Sequence, residues 1–236
     1  MNPLSSRVRL VAKLRVLSFV LGPLDTNCYL AYDEDSLEAV IVDPAEPSDE
    51  VVRWVDRLGL KVRYIVATHG HFDHIYGAEE LRRILGAPFA MSTLDTEVAR
   101  LSYSWARHLL VEDPGTTPTP DIDLDKVDVL RFGGCEMRVI KTPGHTPGSV
   151  TLFLAGALVA FTGDTIFSGT VGRTDLPGGS EEQLMMSLCR LAKTLPRNTL
   201  LYPGHGFETT LNRELRLNIF LEEALRHCGG WEHEHG

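Results

Sequence analysis

Residues 68–74 read Thr-His-Gly-His-Phe-Asp-His and directly follow a mostly apolar, strand-like run. Four side chains that can ligate a metal lie within this stretch: His69, His71, Asp73 and His74. Imidazole nitrogens and carboxylate oxygens suit zinc, iron and manganese. A solvated polar loop is the alternative, but it gains little from crowding three histidines and an aspartate together. We therefore expect a metal site at the end of a strand.

Three further metal-capable residues stand on glycine-rich turns, each after a strand-like segment. His145 lies in Thr-Pro-Gly-His-Thr-Pro-Gly-Ser, Asp164 in Thr-Gly-Asp-Thr, and His205 in Tyr-Pro-Gly-His-Gly. Each residue taken singly is compatible with an ordinary polar role. Glycine, however, permits tight turns and close approach of the backbone, so these turns can converge on one point without collisions between side chains. Together with the first cluster they predict one shared site.

Seven ligands are too many for one tetrahedral ion but suit two ions that share a carboxylate. Two adjacent ions trap a bridging water and lower its pKa towards neutrality, which supplies hydroxide for hydrolysis. A further acid, Asp43 in Ile-Val-Asp-Pro, is either a partner for a ligand imidazole or a turn residue before Pro44. The expected ligands are His69, His71 and His145 for the first ion, Asp73, His74 and His205 for the second, and Asp164 as the bridge.

Size and charge point to small-molecule chemistry. The chain has 236 residues, of which 43% are hydrophobic and 23% charged, as in ordinary globular proteins. Its formal net charge of -9 disfavours a broad electrostatic grip on nucleic acid. No apolar stretch approaches the length of a transmembrane helix, so no membrane partner is expected.

The cysteines Cys28, Cys135, Cys189 and Cys228 are scattered and include no Cys-x-x-Cys pair. They suggest neither a disulfide framework nor a thiolate zinc cluster. Residues 1–24 are better explained as a basic tail and a first strand than as a secretory or transit peptide. A reducing, cytoplasmic location is therefore expected.

Hydrophobic periodicity divides the chain into two halves, each of which runs through strands, a helix and a further strand. This order predicts an α+β fold of two packed sheets flanked by helices, in a single domain over 1–236. The Pro- and Gly-rich composition near 114–120 predicts a surface excursion over 101–125, either a plain connection or a substrate lid. The tail at 229–236 is expected to be flexible. The expected strands are 15–20, 27–32, 39–42, 62–67, 127–131, 135–141, 149–154, 158–162 and 199–202, and the expected helices are 49–58, 76–85, 181–193 and 210–227.

The combined motifs Thr-His-x-His-x-Asp-His, Gly-His-Thr-x-Gly, Thr-Gly-Asp-Thr and Gly-His resemble those of the metallo-β-lactamase superfamily. The resemblance covers roughly residues 16–221 and implies a four-layer αββα sandwich with a dinuclear site at one edge. Residues 161–180 and the later Tyr-Pro-Gly-His-Gly-x-Glu-Thr-Thr are similar to the glyoxalase II group, the hydroxyacylglutathione hydrolases, and especially to its short bacterial members. Common dizinc β-lactamases would have a cysteine where Asp164 stands, so lactam hydrolysis is not expected.

The resemblance implies cleavage of a thioester, with S-lactoylglutathione as the group's usual substrate and two ions of zinc or iron, with manganese as a further option. A hydroxide bridging the ions would attack the carbonyl, and Asp73 would orient or deprotonate the bridging water. In two-domain members a helical C-terminal domain holds glutathione, whereas here one helix and a tail follow His205. Arg173 stands where the group often has a lysine near glutathione. It would bind a substrate carboxylate or form a surface ion pair with Asp175.

Three other functions are alternatives to a thioesterase. Persulfide dioxygenases are similar, also carry a Gly-Arg-Thr-Asp segment, and use one iron held by counterparts of His71, His145 and Asp164. A non-catalytic metal-binding protein would draw on the tail Trp-Glu-His-Glu-His-Gly at 231–236. A nuclease is disfavoured by the acidic net charge. The Pro-Gly-His-Gly form around His205 resembles the hydrolases better than the dioxygenases, which favours a thioesterase.

Overall fold

The computed structural model describes residues 13–109 and 114–229. Within these ranges a pair of six-stranded sheets stack face to face between two layers of helices. This is the four-layer α+β sandwich expected from the sequence. The first sheet contains, in spatial order, β1 (Leu14–Leu21), β2 (Thr26–Asp33), β3 (Glu38–Val42), β4 (Lys61–Val66), β5 (Phe89–Met91) and β6 (Ile122–Asp123). The second contains β12 (Thr209–Thr210), β11 (Leu200–Pro203), β10 (Val159–Gly163), β9 (Val150–Leu154), β8 (Cys135–Lys141) and β7 (Val129–Phe132). The helices are α1 (Asp49–Leu58), α2 (Phe72–Ile75), α3 (Ala78–Leu85), α4 (Thr96–Leu109), α5 (Glu181–Thr194), α6 (Leu211–Leu217) and α7 (Ile219–His227).

Strand direction brings several loops to one edge of this sandwich. In the first sheet β3, β4, β5 and β6 run parallel, and in the second β10 and β11 run parallel. Strands β8 and β10 both pair antiparallel with β9, so they point the same way as each other. The amide of Val150 donates to the carbonyl of Thr68, which ties the two sheets together at this edge. The loops after β4, β8, β10 and β11 therefore meet there.

Helix boundaries coincide with capping residues. Ser48 accepts a hydrogen bond from the amide of Val51 at the start of α1, and Gly59 ends that helix in the left-handed conformation with φ of 65°. Ser180 accepts from the amide of Gln183 at the start of α5. These local signals fix where each helix meets its sheet.

The core has three buried apolar clusters, one between the sheets and one beneath each helical layer. Consecutive residues of β4 belong to two different clusters, because Ile65 faces the helices and Val66 faces the other sheet. Phe161 of β10 lies between the sheets, with its ring centroid 5.2 Å from that of Tyr29. Burial on both faces fixes strand register, and register in turn fixes the position of every loop at the edge.

Helix α4 corrects the surface excursion predicted over 101–125. Ala99, Tyr103 and Ala106 recur at helical spacing and are buried against the first sheet. Polar residues on the outer face of the helix hid this period from sequence inspection. Residues 114–121 form neither helix nor strand, in agreement with their Pro- and Gly-rich composition.

The last helix, expected over 210–227, is two helices. Asn218 ends α6 and begins α7, and its side-chain oxygen accepts from the amides of Phe220 and Leu221. A residue that caps a new helix favours a break, which explains the interruption. The tail predicted to be flexible, 229–236, lies outside the described residues from position 230 onward.

A disulfide joins Cys189 of α5 to Cys228 at the end of α7, which corrects the expectation that the cysteines form no disulfide. The two residues are 39 positions apart, so no short spacing marks them as a pair. Packing of α5 against α7 around Ala224 brings their α-carbons to 6.5 Å. Cys28 and Cys135 are buried free thiols.

Candidate metal centre

The structure brings the seven expected ligands together at the loop edge. Residues 69 and 71 follow β4, residues 73 and 74 lie in the one-turn helix α2, and the other three follow β8, β10 and β11. Their ligand atoms form three overlapping sets, and within each set all atoms lie within 4.8 Å of one another. The sets are His69, His71 and His145; His69, His74 and Asp164; and Asp73, His74 and His205.

The first set, hereafter the three-histidine group, consists of His69, His71 and His145. Nδ1 of His71 lies 3.1 Å from Nε2 of His69 and 2.9 Å from Nε2 of His145. The three rings stand nearly perpendicular to one another, and all are buried. Three imidazole nitrogens that face one point in a buried site suit a shared metal cation.

Contacts on the far side of two rings decide which nitrogen faces the centre. Nδ1 of His145 lies 2.7 Å from the backbone carbonyl of Arg173, which can only accept, so Nδ1 donates and Nε2 keeps its lone pair. Nδ1 of His69 lies 3.2 Å from Oγ1 of Thr68, whose hydroxyl donates to Oδ2 of Asp43 at 2.9 Å. His69 therefore also donates through Nδ1. Both rings are held in the tautomer that a metal requires.

The second set, hereafter the mixed group, consists of Asp73, His74 and His205. Oδ2 of Asp73 lies 3.4 Å from Nε2 of His74 and 3.4 Å from Nε2 of His205. His74 is fully buried, whereas the side chain of His205 is 30% exposed. Nδ1 of His205 lies 3.4 Å from the carbonyl of Asp25. The mixed group is thus the side of the centre that faces solvent.

Asp164 lies between the two groups. Its Oδ2 is 3.4 Å from Nε2 of His145 and 3.6 Å from Nε2 of His205, and its Oδ1 is 3.5 Å from Nε2 of His74. One carboxylate therefore reaches both groups, which is the geometry that a bridging ligand needs.

Unsatisfied polar atoms test whether these residues fit a metal. Nε2 of His74 and Oδ1 of Asp164 are buried and have no hydrogen-bond partner among the described residues. A buried nitrogen or carboxylate oxygen without a partner costs free energy, so such atoms need an explanation. Both atoms face the space between the two groups. Imidazole nitrogens and carboxylate oxygens suit divalent zinc, iron and manganese, and the residues fit a metal centre.

The two groups differ in charge. Burial, reinforced by neighbouring imidazoles, holds the pKa of His69 well below its ordinary value and lowers the pKa of His71 to about 3. Burial alone would also lower the pKa of His74, but nearby carboxylates, Asp73 foremost, raise it to about 10. Burial also opposes the charged form of His205, but its hydrogen bond with Asp73 and the charges of Asp164 and Asp73 together raise its pKa. Without a metal, His74 holds a proton at neutral pH, whereas His69 and His71 are neutral.

Asp43 makes the contact with a ligand imidazole that was one of its two expected roles. Its Oδ2 lies 3.0 Å from Nδ1 of His74, close enough for an ion pair although poorly aligned for a hydrogen bond. Its Oδ1 accepts from the amide of Thr68 at 2.7 Å. Asp43 thus orients His74 and supports the turn that carries His69.

Asp95, which no sequence motif marked, joins the loops that carry the three-histidine group. It is fully buried, and its Oδ2 accepts from the amide of Gly70 at 2.8 Å and from Oγ1 of Thr146 at 2.7 Å. Its Oδ1 accepts from the amide of Gly148 at 2.6 Å. Only glycine at position 70 lets the backbone come this close to Asp95, since a Cβ there would lie 2.7 Å from the Cβ of Asp95. One carboxylate therefore fixes both loops.

The start of β2, also unmarked in the sequence, holds the mixed group. Oγ1 of Thr26 donates to Oδ2 of Asp73 at 2.8 Å. The backbone amide of Asn27 donates to the carbonyl of Gly204 at 2.7 Å, and its side chain donates to the carbonyl of Gly206 at 2.9 Å. The loop that carries the solvent-facing histidine is thus attached to β2 on both sides of that histidine.

Arg173 lies next to the centre through its backbone but not through its side chain. Its carbonyl contacts His145, whereas its exposed guanidinium pairs with Asp175, with Nε 2.6 Å from Oδ1 and Nη2 2.7 Å from Oδ2. This is the surface ion pair that was the alternative to substrate binding.

A buried cluster of histidine and aspartate ligands at the loop edge of an αββα sandwich is characteristic of a class of metal-dependent enzymes. Residues 21–205 match the family model of the metallo-β-lactamase superfamily, and the chain belongs to that superfamily.

Two relatives carry names for different reactions. The chain is 32% identical over 205 residues to hydroxyacylglutathione hydrolase GloC of Haemophilus influenzae, covering 83% of this chain and 92% of that protein. It is 36% identical over 212 residues to the mitochondrial persulfide dioxygenase ETHE1 of Mus musculus, covering 85% of this chain and 75% of that protein. The two identities are too similar to choose between hydrolysis and dioxygenation.

Two solved structures share the fold. The BLEG-1 B3 metallo-β-lactamase is 34% identical with a TM-score of 0.76, covering 88% of this chain and 99% of that one. TTHA1623 in a di-iron-bound form is 32% identical with a TM-score of 0.74, covering 86% of this chain and 99% of that one. The first is named as a metallo-β-lactamase, an activity that the sequence did not lead us to expect for this chain. The second shows that a relative of this chain binds two irons.

Proposed function

We propose that this protein is a dinuclear metal-dependent hydrolase that cleaves a thioester such as S-lactoylglutathione. The observation that carries the proposal is the mixed group, in which Asp73, His74 and His205 face a second point beside the three-histidine group. A centre for one ion does not need this second set of ligands. The similarity to hydroxyacylglutathione hydrolase GloC supports a thioester as the substrate.

In the proposed centre the three-histidine group holds the first ion, the mixed group holds the second, and Asp164 binds both. When bound, two such ions supply Lewis acidity to the thioester carbonyl and lower the pKa of a shared water towards neutrality. Zinc and iron are the proposed metals, with manganese as a further option that suits the same donors. The di-iron form of TTHA1623 supports iron.

Asp73 is the proposed catalytic carboxylate. Although burial opposes ionisation, the neighbouring His74 and His205 and the hydroxyl of Thr26 hold its pKa well below the ordinary value. It is therefore ionised at neutral pH, and its oxygen can accept a hydrogen bond from the attacking water and orient it. The leaving thiolate is stable enough to depart without a strong general acid.

Arg173 is proposed to meet a carboxylate on the thiol part of the substrate. Its side chain is 62% exposed and belongs to the segment whose backbone holds His145. Asp175 already occupies two of its donors, so a substrate carboxylate would share or displace that partner.

A mononuclear-iron persulfide dioxygenase is the second candidate, supported by the 36% identity to ETHE1. The three-histidine group with Asp164 would suffice for one iron, and the mixed group would then stay metal-free. Occupation of the mixed group thus separates the two candidates.

We also propose a cytoplasmic location. None of the helices among the described residues has the length and apolar run needed to cross a bilayer. The Cys189–Cys228 disulfide weighs against this location, because cytosolic thiols are usually reduced. Trapping free thiols in growing cells tests it: both cysteines should react if the compartment is reducing.

Metal analysis of the purified protein, combined with assays of thiol release from S-lactoylglutathione, tests the proposed function. We expect two divalent ions per chain and release of glutathione. One iron per chain, no thiol release, and oxygen uptake with glutathione persulfide would establish the dioxygenase instead. A parallel assay with a β-lactam covers the activity named for BLEG-1, and we expect no turnover there.

A further inference from the structure

A small apolar pocket lies beside the three-histidine group and opens on His71. One wall is a face of α4 formed by Val98, Leu101 and Trp105. The opposite wall is Pro177, from the segment that precedes α5. His71 is the only expected metal ligand among these lining residues, so the pocket adjoins the first ion's side of the centre and not the mixed group.

Both walls are fixed relative to the centre. In α4, Oγ of Ser102 lies 3.4 Å from the carbonyl of Gly70, and Asp95, just before the helix, accepts from the amide of Gly70. On the other side, Arg173 lies four residues before Pro177, and its backbone carbonyl accepts a hydrogen bond from Nδ1 of His145. The pocket is thus attached to the loops of the three-histidine group, and a substrate finds it already formed.

The pocket is small. Its cavity volume is about 10 Å³, which admits about one water-sized group, such as a methyl. Trp105, one of its lining residues, is 44% exposed and lies between the pocket and solvent-accessible surface. At the mixed group, by contrast, the side chain of His205 is 30% exposed, Phe207 two residues later is 84% exposed, and the ring of Phe167 lies 6.2 Å from that of His205. The centre therefore has a confined apolar site beside His71 and a solvent-facing side at His205.

A thioester has two arms of unequal size, an acyl group and a thiol group. We propose that the pocket receives the acyl group, that it selects short acyl chains of about two to three carbons, and that Trp105 sets this length limit. The proposal rests on the thioesterase function proposed above. The bulky thiol arm lies on the solvent-facing side near His205, whose side chain is 30% exposed.

Glutathione thioesters of increasing acyl length test this assignment. For the metal-loaded wild type we expect kcat/KM to fall by roughly tenfold or more for each methylene that exceeds the limit, between acetyl, lactoyl, butanoyl and hexanoyl substrates. In Trp105→Ala, kcat/KM should rise for the longer acyl groups, so that the preference for short ones becomes smaller. Leu94→Ala is the matched control, since Leu94 is an apolar side chain 60% exposed just before α4 and does not line the pocket. It should keep the wild-type profile.

Binding gives a readout independent of turnover. Calorimetry with S-propylglutathione and S-hexylglutathione, which are inert thioethers, should show a preference for propyl in the wild type and none in Trp105→Ala, at equal metal content. An unchanged acyl-length profile in Trp105→Ala, with thioester cleavage intact, would overturn the pocket assignment alone. Absence of cleavage for every thioester would instead overturn the proposed function and the acyl assignment with it, and the calorimetric preference would still show whether the pocket selects by chain length.

Discussion

The three-histidine group and the mixed group sit side by side but are built differently. His69, His71 and His145 are buried, and Asp95 ties their loops together. The mixed group includes the partly exposed His205 and is attached to the start of β2. The first group is therefore a rigid part of the core, whereas the second lies at the solvent boundary.

Charge sharpens this difference. The low pKa values of His69 and His71 leave their nitrogens free to bind a metal at neutral pH, whereas the raised pKa of His74 means that a metal must displace its proton. A first ion would thus meet two neutral imidazoles, and a second ion would have to compete with the proton of His74. Metal binding at the mixed group therefore depends on the release of a proton. Whether a metal binds there is also what distinguishes the proposed hydrolase from a mononuclear oxygenase.

Asp164→Ala should have the largest effect, because it removes the carboxylate that reaches both groups. We expect metal content and turnover to be lost together, by more than the roughly 10–100-fold that follows loss of a residue behind a ligand. Elemental analysis and the thioester assay measure both. Asp175→Ala, an exposed carboxylate of the same segment, is the control that should retain its metal. A fully active Asp164→Ala protein would refute the bridging assignment.

Asp95→Asn should weaken the first group selectively. The amide replaces one acceptor oxygen with an NH2 that faces a donor, so at least one of the three hydrogen bonds is lost and the loops that carry the three-histidine group are held less firmly. We expect affinity for the first ion to fall by roughly 10–100-fold in competition with a chelator.

Glu214→Gln is the matched control for Asp95→Asn. Glu214 is also a fully buried carboxylate, but it accepts from Gly169, Thr209 and Asn218, none of which is an expected ligand. This variant should lower the free energy of unfolding without changing metal affinity. Equal effects of the two variants on metal affinity would reduce Asp95 to a general structural role.

The sequence was sufficient to predict that seven metal-capable residues would converge at one edge, because each lies in a short segment that follows a strand. Seven metal-capable residues were identified from local motifs, and the two-sheet architecture followed from strand and helix periodicity. The turn at His145, for example, begins directly after β8, whose bounds the sequence predicted correctly as 135–141. Local signals suffice when both the element and the functional residue lie in one short segment.

Asp95 could not be predicted, because its partners come from elsewhere in the chain. Gly70 precedes it by 25 residues and Thr146 follows it by 51. In the sequence it looks like an ordinary residue at the start of a helix. The disulfide was missed for the same reason, since Cys189 and Cys228 meet only once α5 packs against α7. Tertiary contacts of this kind leave no spacing signal.

Metal binding should depend on pH in the mixed group, through the proton on His74. Because the pKa of His74 is raised to about 10, this imidazole keeps its proton from pH 6 to 9 and must release it when the second ion binds. Affinity for the second ion should therefore rise by about tenfold per pH unit for each proton displaced. The pKa of His71, about 3, lies below this range, so this ligand of the first ion contributes no such dependence. Calorimetric titration of the metal-free protein in buffers of different ionisation enthalpy measures the protons released by each ion, and equal release for both would contradict the comparison.

Thr26→Val should have the smallest effect, because it removes a single hydrogen bond, from Oγ1 of Thr26 to Oδ2 of Asp73, while keeping the side chain's shape. A net hydrogen bond contributes about 1 kcal/mol, so affinity for the second ion should fall by roughly fivefold, with no change for the first. Thr199→Val is the matched control, since Thr199 is equally buried but its hydroxyl has no hydrogen-bond partner among the described residues. If the two valine variants bound the second ion alike, Thr26 would pack beside Asp73 without orienting it. If Thr26→Val weakened the first ion as well, the two groups would not be independent, and the mixed group would share the rigidity of the three-histidine group.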